Sequence, residues 1–373
     1  MRTNIKKANK KIITYFYEKI RLNQRKKSEI RKFRDKRRVE IYSKVKLSKV
    51  QKQEIDKLFL DNYGKKIPYT WHRHYTAFTG NFDKNYFPEL LFIPEFEHYM
   101  NKNKSFASVL ADKNFVSLFC KSIGIKTPRV FLSKTNGIFR NDKFEFIDYN
   151  KALDMLYDLG EAFVKPTIET SSGNGCFVIN IKENKDIISN QRIDEILEKL
   201  GDDFVIQERL ICHSSISKIY DKSVNTFRVM TYIWNNQICI MPVIMRIGMG
   251  GKNVDNAHTG GMFIAINDDG TLHKYAFTEF KKISTKHPDT NIVYEGYEIE
   301  HFSKVLNAAK KAHSAVPQLG IISWDFTIDL EGEPVLIEAN TIAGSIWLPQ
   351  IAHGCGAFKD NTEEVLQWLR KQK

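Results

Sequence analysis

The sequence predicts an α+β protein dominated by antiparallel hairpins, with a helical segment ahead of them. Two observations carry this prediction. Apolar strand patterns come in pairs joined by short turns, such as Asn235-Asn236 and Asp269-Gly270, which is typical of antiparallel sheets. Helical patterns, such as the one near 299–315, separate these pairs and indicate an α+β mix.

Length and composition indicate a globular chain of two or three subdomains. With 373 residues it is too long for one simple core, and its 42% hydrophobic and 12% aromatic fractions exclude wholesale disorder. No window of about 18 apolar residues occurs, so we expect no ordinary transmembrane helix. The five cysteines form no CxxC pair, which argues against a zinc site or a disulfide framework. This usage favours a reducing cytoplasm.

The positive charge lies at the N-terminus. Residues 1–60 carry 21 Lys and Arg against 6 Asp and Glu, a net charge of +15, and residues 61–373 carry 36 against 38, a net charge of −2. The stretch 10–27 mixes apolar and basic residues, so it either contacts an anionic membrane surface at the inner face of the cell membrane or packs on the body as a solvated basic helix. We expect no nucleic-acid binding, because the basic charge is not interleaved with the aromatics of the folded body.

We expect the chain to divide into four segments. The first is basic and helical, the second is aromatic and punctuated by prolines, and the last two are α+β subdomains. Their predicted bounds are 1–60, 61–125, 126–203 and 204–373.

A helix followed by a strand is well signalled at 110–131. Asp112 can cap the helix N-terminus, Gly124 is a natural C-terminal stop, and Pro128 prevents the helix from continuing.

A lysine stands at the end of an apolar strand in FVKPTIETSSGNGCFVI, residues 163–179. Lys165 would need an anionic partner if it is buried in that strand. The loop that follows is either an ordinary flexible hairpin or a glycine-rich loop whose backbone amides close over a phosphate.

A hairpin near residue 330 brings two carboxylates together. A two-residue turn at Glu331-Gly332 places Asp325 opposite Glu338, with Asn340 on the same face. Facing carboxylates repel each other, and Mg²⁺, which binds one or two carboxylates plus substrate phosphates, removes that repulsion. The alternative is a solvent-facing acidic pair at a sheet edge. The residues expected on the opposite, apolar face are Trp324, Phe326, Ile328, Val335, Ile337 and Ala339.

The order of these pieces resembles the ATP-grasp superfamily over roughly residues 105–350. The series consists of DK at a helix start, GIKTP, FVKP, SSGNG, VIQERL, NTFRVMT and WDFTIDLEGEPVLIEAN. More narrowly, it looks like the sugar-transfer-associated ATP-grasp proteins of bacterial surface-polysaccharide (capsule) loci. The resemblance implies an ATP-grasp fold, in which two α+β subdomains clasp ATP, with ATP and Mg²⁺ as cofactors.

The resemblance implies an ATP site with four parts: two phosphate-binding lysines, a mobile glycine-rich loop, a hinge that pairs with adenine, and a ribose contact. Lysine is a compact, flexible charge, and glycine lets the backbone approach a phosphate. The ribose carboxylate of some ATP-grasp ligases is missing after the hinge, which leaves His213 as the candidate substitute. The implied ATP-binding residues are Lys113, Lys165, Ser171, Ser172, Gly173, Asn174, Gly175, Gln207, Glu208, Leu210 and His213.

The resemblance also implies catalytic and metal-binding residues. Arg228 and Arg246 would bind the γ-phosphate and the substrate carboxylate, because the planar guanidinium fork matches both groups. Structural salt bridges are the alternative for both arginines. Asp325, Glu338 and Asn340 correspond to the magnesium ligands of the family.

The glycine-dense loop 248–262 is expected to face the substrate, with Asn256 and His258 as contacts. The reaction that the resemblance implies joins the carboxylate of a sugar acid or glycan precursor to an amine through an acylphosphate formed from ATP. Such catalysis consists mainly of positioning and charge neutralisation. Two alternatives are a kinase of the same fold that phosphorylates an acceptor hydroxyl and a non-catalytic nucleotide-binding scaffold.

Overall fold

The structure, a computed structural model, describes residues 2–167, 175–281, 285–342 and 344–372, with the backbone alone for residues 2–16. The helices are α1 (Arg2–Lys32), α2 (Lys36–Ser43), α3 (Lys49–Tyr63), α4 (Thr70–Thr79), α5 (Glu89–Leu91), α6 (His98–Met100), α7 (Lys104–Ala111), α8 (Lys113–Ser122), α9 (Tyr149–Leu156), α10 (Ile193–Leu200), α11 (Ser214–Ser217), α12 (Phe302–Ser314), α13 (Trp347–His353) and α14 (Thr362–Lys371), with a π-helical turn at Phe92–Glu97 and 3₁₀ turns at Ala257–Thr259 and Lys359–Asn361. The strands are β1 (Val130–Thr135), β2 (Ile138–Asn141), β3 (Phe146–Ile147), β4 (Gly160–Pro166), β5 (Phe177–Lys182), β6 (Lys185–Asp186), β7 (Phe204–Glu208), β8 (Thr226–Trp234), β9 (Gln237–Ile240), β10 (Val243–Ile247), β11 (Met262–Ile266), β12 (Leu272–Phe277), β13 (Ile321–Ile328) and β14 (Pro334–Asn340).

Two antiparallel sheets organise the chain, which confirms the predicted α+β class. The first sheet has the order β3-β2-β1-β7-β4-β5-β6. The second has the order β12-β11-β10-β8-β13-β14, with β9 paired to β8. β7 lies between β1 and β4, so the first sheet includes Phe204–Glu208 and extends past residue 203, where the sequence division was placed.

The helix before the first sheet follows its sequence signals. The Asp112 carboxylate accepts hydrogen bonds from the backbone N–H groups of Asn114, at 2.8 Å, and Phe115, at 3.1 Å. These bonds satisfy donors that the first turn of α8 would otherwise leave unpaired. Gly124, with φ of 64°, follows the end of the helix in the left-handed region, where glycine is unstrained.

Apolar cores cover both faces of the second sheet. Along β8, Phe227 and Val229 point into a core shared with α12, while Met230 and Tyr232 point into a core shared with residues 33–96 and with α13 and α14. The side of β8 that carries Met230 begins with two polar residues, Thr226 and Arg228. The N-terminal region therefore covers the apolar end of this face of the second sheet. The polar end, at Thr226 and Arg228, lies at the cavity described below.

The basic N-terminal helix packs on the body at its C-terminal half. Lys26 of α1 forms an ion pair with the buried Glu95 of the π-helical turn, and Glu95 also accepts a hydrogen bond of 2.9 Å from the Tyr63 hydroxyl. Further towards the N-terminus, Tyr17 and Ile20 are 75% and 56% exposed. Within the described residues, no helix combines the length and the apolar character needed to cross a membrane.

Candidate active site

A cavity of about 380 Å³ lies between the two sheets. Its wall combines residues of α8, β4 and β7 with residues of β8, β10, β13 and β14 and of the loop 253–258. A volume of this size is suited to a small-molecule ligand. The predicted site residues that line it are Lys113, Lys165, Gln207, Glu208, Leu210, Arg228, Arg246, Asn256, His258, Asp325, Glu338 and Asn340.

Some predicted ATP contacts are not brought to this wall. His213 does not line the cavity; it lies at the N-terminus of α11, where its Nδ1 accepts from the Ser215 backbone N–H. Ser171, Ser172, Gly173 and Asn174 lie outside the described residues. Gly175 has φ of 75°, and a Cβ built on it would lie 3.0 Å from Cγ of Pro166, so a side chain there would be strained and would crowd Pro166.

The acidic hairpin has the predicted pairing at its functional end. Asp325 faces Glu338, and both line the cavity. The predicted turn, however, is wrong. The backbone N–H of Asp329 bonds to the carbonyl of Glu333 at 3.0 Å, so the loop between them has three residues instead of two.

A β-bulge offsets this difference. The pairing shifts between Asp325 and Phe326, because Ile337 is an extra residue on β14. Ile337 consequently lines the cavity beside Glu338. The sequence pattern predicted it on the opposite, apolar face of the hairpin. Leu336 takes that place in the core, opposite Phe326. The longer turn and the bulge cancel, which restores the predicted register at Asp325.

Asp325 is the electrostatic centre of the site. Arg228 donates to its Oδ1 at 3.0 Å and to its Oδ2 at 2.9 Å, Arg246 donates to Oδ2 at 3.1 Å, and Asn340 donates to Oδ2 at 3.2 Å. Burial acts to raise the pKa of Asp325, but the two arginines outweigh it, so the pKa lies below the ordinary value. The carboxylate is therefore ionised.

Lys165 is a buried cation aimed into the same cavity. Lys165 is only 6% exposed and lines the cavity. Among the described residues, none forms a hydrogen bond or an ion pair with its ammonium group. Burial, with a further contribution from the charge of Lys113, lowers the pKa of Lys165 to about 8, although Glu338 acts in the opposite direction. Lys113 donates to the carbonyl of Pro166 at 3.1 Å. An anionic ligand would relieve the repulsion between the two lysines.

The hinge candidate, residues 207–210, begins at the end of β7. Glu208 ends that strand, and its Oε1 accepts from the backbone N–H of Arg129 at 2.8 Å. Its carboxylate therefore braces β1 against β7 as well as lining the cavity. Leu210 lines the cavity beyond the end of the strand, where the backbone has left the sheet.

Sequence reasoning missed another carboxylate in the cavity wall, that of Asp255. The Oδ2 atom of Asp255 accepts from Thr226 N at 3.1 Å and from Thr226 Oγ1 at 2.5 Å, and it lies 3.4 Å from Nε of Arg246. Asp255, Thr226 and Arg246 all line the cavity. The one available signal was the position of Asp255 in the glycine-dense loop, directly before Asn256.

His258 is connected to the N-terminal segment. Its Nδ1 lies 2.9 Å from Oε2 of Glu279, whose Oε1 accepts from Nη2 of Arg38 at 2.8 Å. The side chains of Arg38 and Glu279 are both 14% exposed, so this ion pair is largely shielded from water. Asn256 uses its side-chain oxygen to accept from the backbone N–H of His258 at 2.9 Å. Both predicted substrate contacts thus have internal partners.

A family model identifies the relatives of this chain. The model of the sugar-transfer associated ATP-grasp family matches residues 92–365. The chain belongs to this family. The resemblance expected from the motif series is confirmed at both levels, and the two sheets around the cavity form the ATP-grasp fold. No curated protein matches the chain in sequence.

Solved ATP-grasp structures are similar at low sequence identity. An L-amino acid ligase from Bacillus licheniformis is 15% identical, with 70% of this chain and 48% of that chain covered and a TM-score of 0.38. A D-alanine–D-alanine ligase from Bacillus anthracis is 17% identical, with 71% and 69% covered and a TM-score of 0.39. The ATP-grasp ligase PsnB, solved with its minimal precursor, Mg and ADP, is 13% identical, with 74% and 62% covered and a TM-score of 0.41. The chain spans about half the length of the first of these proteins.

The acidic hairpin fits a magnesium ion by its donor set. Asp325 Oδ1 accepts from Arg228 alone, which leaves it a lone pair, and Asn340 uses only its NH₂ group on Asp325. Among the described residues, no hydrogen bond or ion pair engages the carboxylate of Glu338. Three oxygen donors on adjacent strands match the hard-oxygen preference of Mg²⁺.

Proposed function

We propose that this protein is an ATP- and Mg²⁺-dependent ligase that joins a carboxylate to an amine through an acylphosphate. The observation that carries the proposal is the buried ammonium of Lys165, which lacks an anionic partner among the described residues and shares one cavity with the Asp325–Glu338 pair. Opposite charges are arranged there for a ligand that bears both phosphates and a metal. The membership of the ATP-grasp family supports the same assignment.

The lysines and arginines have separate tasks in this proposal. Lys165 and Lys113 hold phosphate oxygens from the side of the first sheet. Arg228 and Arg246 act from the second sheet, and each leaves its Nη1 group without a hydrogen bond among the described residues, available for the γ-phosphoryl group or the substrate carboxylate. Mg²⁺ held by Asp325, Glu338 and Asn340 would supply charge neutralisation between the phosphates. Catalysis then rests on positioning, and no nucleophilic side chain is required.

The adenine and substrate ends follow from the same arrangement. Leu210 and Gln207 border the end where an adenine ring would pair with the backbone after β7. Asp255, Asn256 and His258 border the opposite, substrate end. Asp255 is a candidate to bind an incoming amine, because a carboxylate is the natural partner of an ammonium group.

The substrates are proposed from the family. A sugar acid or glycan precursor would supply the carboxylate, and an amino acid or other amine would supply the nucleophile, in surface-polysaccharide (capsule) biosynthesis. The basic segment 1–60 would hold the enzyme peripherally on an anionic membrane surface at its cytoplasmic side. The exposed Tyr17 and Ile20 on α1 support such a contact.

Product analysis tests this function. Purified protein is incubated with ATP, Mg²⁺, a panel of uronic acids and a panel of amino acids, and ADP and orthophosphate are measured together with the mass of any amide. We expect ADP and orthophosphate only when a carboxylate and an amine are both present. With Lys165→Met we expect neither product. ADP without orthophosphate, accompanied by a phosphorylated acceptor, would identify a kinase. Binding of Mg-ATP by calorimetry without turnover of any substrate pair would support the nucleotide-binding scaffold, and failure to bind Mg-ATP would contradict both the ligase and the kinase.

A cellular experiment addresses the substrate class. Mass spectrometry would compare surface glycan from cells with the wild-type chain and with Lys165→Ala. Loss of one amide-linked substituent is expected and would identify the product, whereas an unchanged glycan would exclude the role in polysaccharide biosynthesis.

A further inference from the structure

Two histidines and a glutamate meet outside the ATP cavity, at the start of α11 and the start of α12. One ligating atom from each of His213, Glu300 and His301 lies within 4.8 Å of those of the other two. Of the part of the chain that the structure describes, this is the one group of three or more such side chains placed this closely. None of the three lines the cavity, so the proposed ligase site does not use them.

His213 is oriented by a neighbouring hydroxyl group. Its Nδ1 lies 3.0 Å from Ser215 Oγ and 3.3 Å from Ser215 N. Metal binding through Nε2 requires the ring proton on Nδ1, which would then donate to Ser215 Oγ in place of accepting from Ser215 N–H. Ser215 Oγ also accepts from the backbone N–H of Glu300 at 3.3 Å. One serine thus contacts the His213 ring and the backbone of Glu300, and outer hydrogen-bond partners of this kind orient ligands in metal sites.

His301 is held in an uncommon conformation beside them. Its φ of 64° is in the left-handed region, which residues other than glycine seldom adopt. Its ring lies 5.2 Å from the ring of His213 between centroids, at an interplanar angle of 80°. Gly332 gives this ring its space, because a Cβ built there would lie 2.5 Å from Cδ2 of His301. The backbone and the β13–β14 loop together direct His301 towards His213.

We propose that His213, Glu300 and His301 bind a divalent transition-metal ion, with Zn²⁺ as the best match. Imidazole and carboxylate donors suit Zn²⁺ and Co²⁺, whereas Mg²⁺ prefers oxygen donors alone. Four-coordinate Zn²⁺ holds its ligand atoms about 3.3 Å apart at ordinary bond lengths. Glu300 and His301 are exposed and His213 is half-buried, so the two exposed side chains can close the remaining distance. A solvent molecule would take the fourth position.

This metal site would link the segment that follows the hinge candidate, at His213, to the start of α12. The backbone N–H of His213 bonds to the carbonyl of Ile328 at 2.8 Å, which already attaches this residue to β13. A metal bridge to Glu300 and His301 would add the start of α12 to the same junction. The role is structural and does not depend on the proposed ligase function.

Co²⁺ is the spectroscopic probe for the test, in the full chain with Glu338→Gln to weaken the predicted magnesium site. We expect one Co²⁺ per chain with the visible absorption of a four-coordinate ion, and Zn²⁺ should displace it. His213→Asn and His301→Asn should each lower the affinity at least tenfold. Asparagine serves at both positions because it caps helices and tolerates the left-handed region. His98→Asn, which removes a histidine from α6, is the matched control and should change nothing.

A thermal measurement guards against a folding defect. Zn²⁺ should raise the Tm of the wild-type chain and of His98→Asn but not that of His301→Asn, whose circular dichroism should match the wild type. Three results would overturn the proposal: no Co²⁺ or Zn²⁺ binding, binding that survives both histidine variants, or a thiolate-to-cobalt charge-transfer band, which would assign the ion to cysteine.

Discussion

Arg228 and Asp325 face each other on adjacent strands β8 and β13 and form a two-pronged ion pair, with N–O distances of 3.0 and 2.9 Å. On the far side of Asp325, the paired residue is Glu338 of β14. A cation and two carboxylates therefore stand in one row across the second sheet. The arginine compensates the charge of Asp325, whereas Glu338 is left to a ligand.

Removing Arg228 should destabilise the fold. With Arg228→Met, the buried Asp325 keeps Arg246 and Asn340 but loses two hydrogen bonds, so we expect a loss of about 2–4 kcal/mol in the free energy of unfolding. Urea denaturation at neutral pH measures it. Arg228→Lys keeps the charge without the planar guanidinium group, so its free energy of unfolding should lie between those of Arg228→Met and the wild type. A loss below about 0.5 kcal/mol would mean that Arg246 alone compensates Asp325.

Lys165→Met should affect ligand binding and stability in opposite directions. ATP affinity should fall at least tenfold, since a charge-assisted hydrogen bond contributes about 1.5–3 kcal/mol. The free energy of unfolding should be unchanged or higher, because a buried ammonium without a partner is replaced by an apolar side chain of similar length. Calorimetry and urea denaturation on the same preparations decide this. A strong destabilisation would show that Lys165 has a structural partner.

The pH dependence of stability should reveal the lowered pKa of Lys165. The pKa of Lys165 is about 8 in the folded chain, against an ordinary value of 10.5, so between these values the unfolded chain binds the extra proton. Stability therefore rises with pH in that window, and the burial penalty is fully present below pH 8. The difference in unfolding free energy between Lys165→Met and the wild type should shrink from pH 8 to pH 10. A difference that is constant with pH would contradict the lowered pKa.

Glu338→Gln should separate metal dependence from folding. The variant should need at least tenfold more Mg²⁺ for half-maximal ATP turnover, because one carboxylate ligand is lost. Its stability without metal should equal or exceed that of the wild type, since like charges opposite each other on a sheet are destabilising. A Mg²⁺ titration and thermal unfolding measure the two effects. An unchanged Mg²⁺ requirement would remove Glu338 from the metal site.

The ion pair between Arg38 and Glu279 should couple the N-terminal segment to the substrate end. A double-mutant cycle with Arg38→Ala and Glu279→Gln should give an interaction energy of about 1–2 kcal/mol, since both side chains are largely shielded. Arg37→Ala is the matched control, because Arg37 lies over the Phe280 ring but forms its ion pair with Asp35. Additive effects of the two changes would show that the contact between Arg38 and Glu279 contributes no interaction energy.

The sequence by itself determined the local features whose geometry is set by the backbone. Asp112 caps α8 because a side chain two or three residues from a free N–H needs no tertiary contact to reach it. Strand alternation likewise put Glu338 and Asn340 on one face, since that period is a property of every strand. The ordered motif series was sufficient to predict the family.

Tertiary structure decided everything that depends on how distant segments pack. The bulge at Ile337 follows from pairing with β13 and from the longer turn, neither of which has a local signature. His213 lies three residues after Leu210, yet its side chain caps α11 and does not line the cavity, a placement that proximity in sequence does not reveal. The contacts of Arg38 with Glu279 and of Asp255 with Thr226 join segments that meet only when the N-terminal region and the loop 248–262 close on the second sheet. Charge and polarity indicate which side chains could form ion pairs or hydrogen bonds. The packing of apolar surfaces decides which of these side chains come into contact.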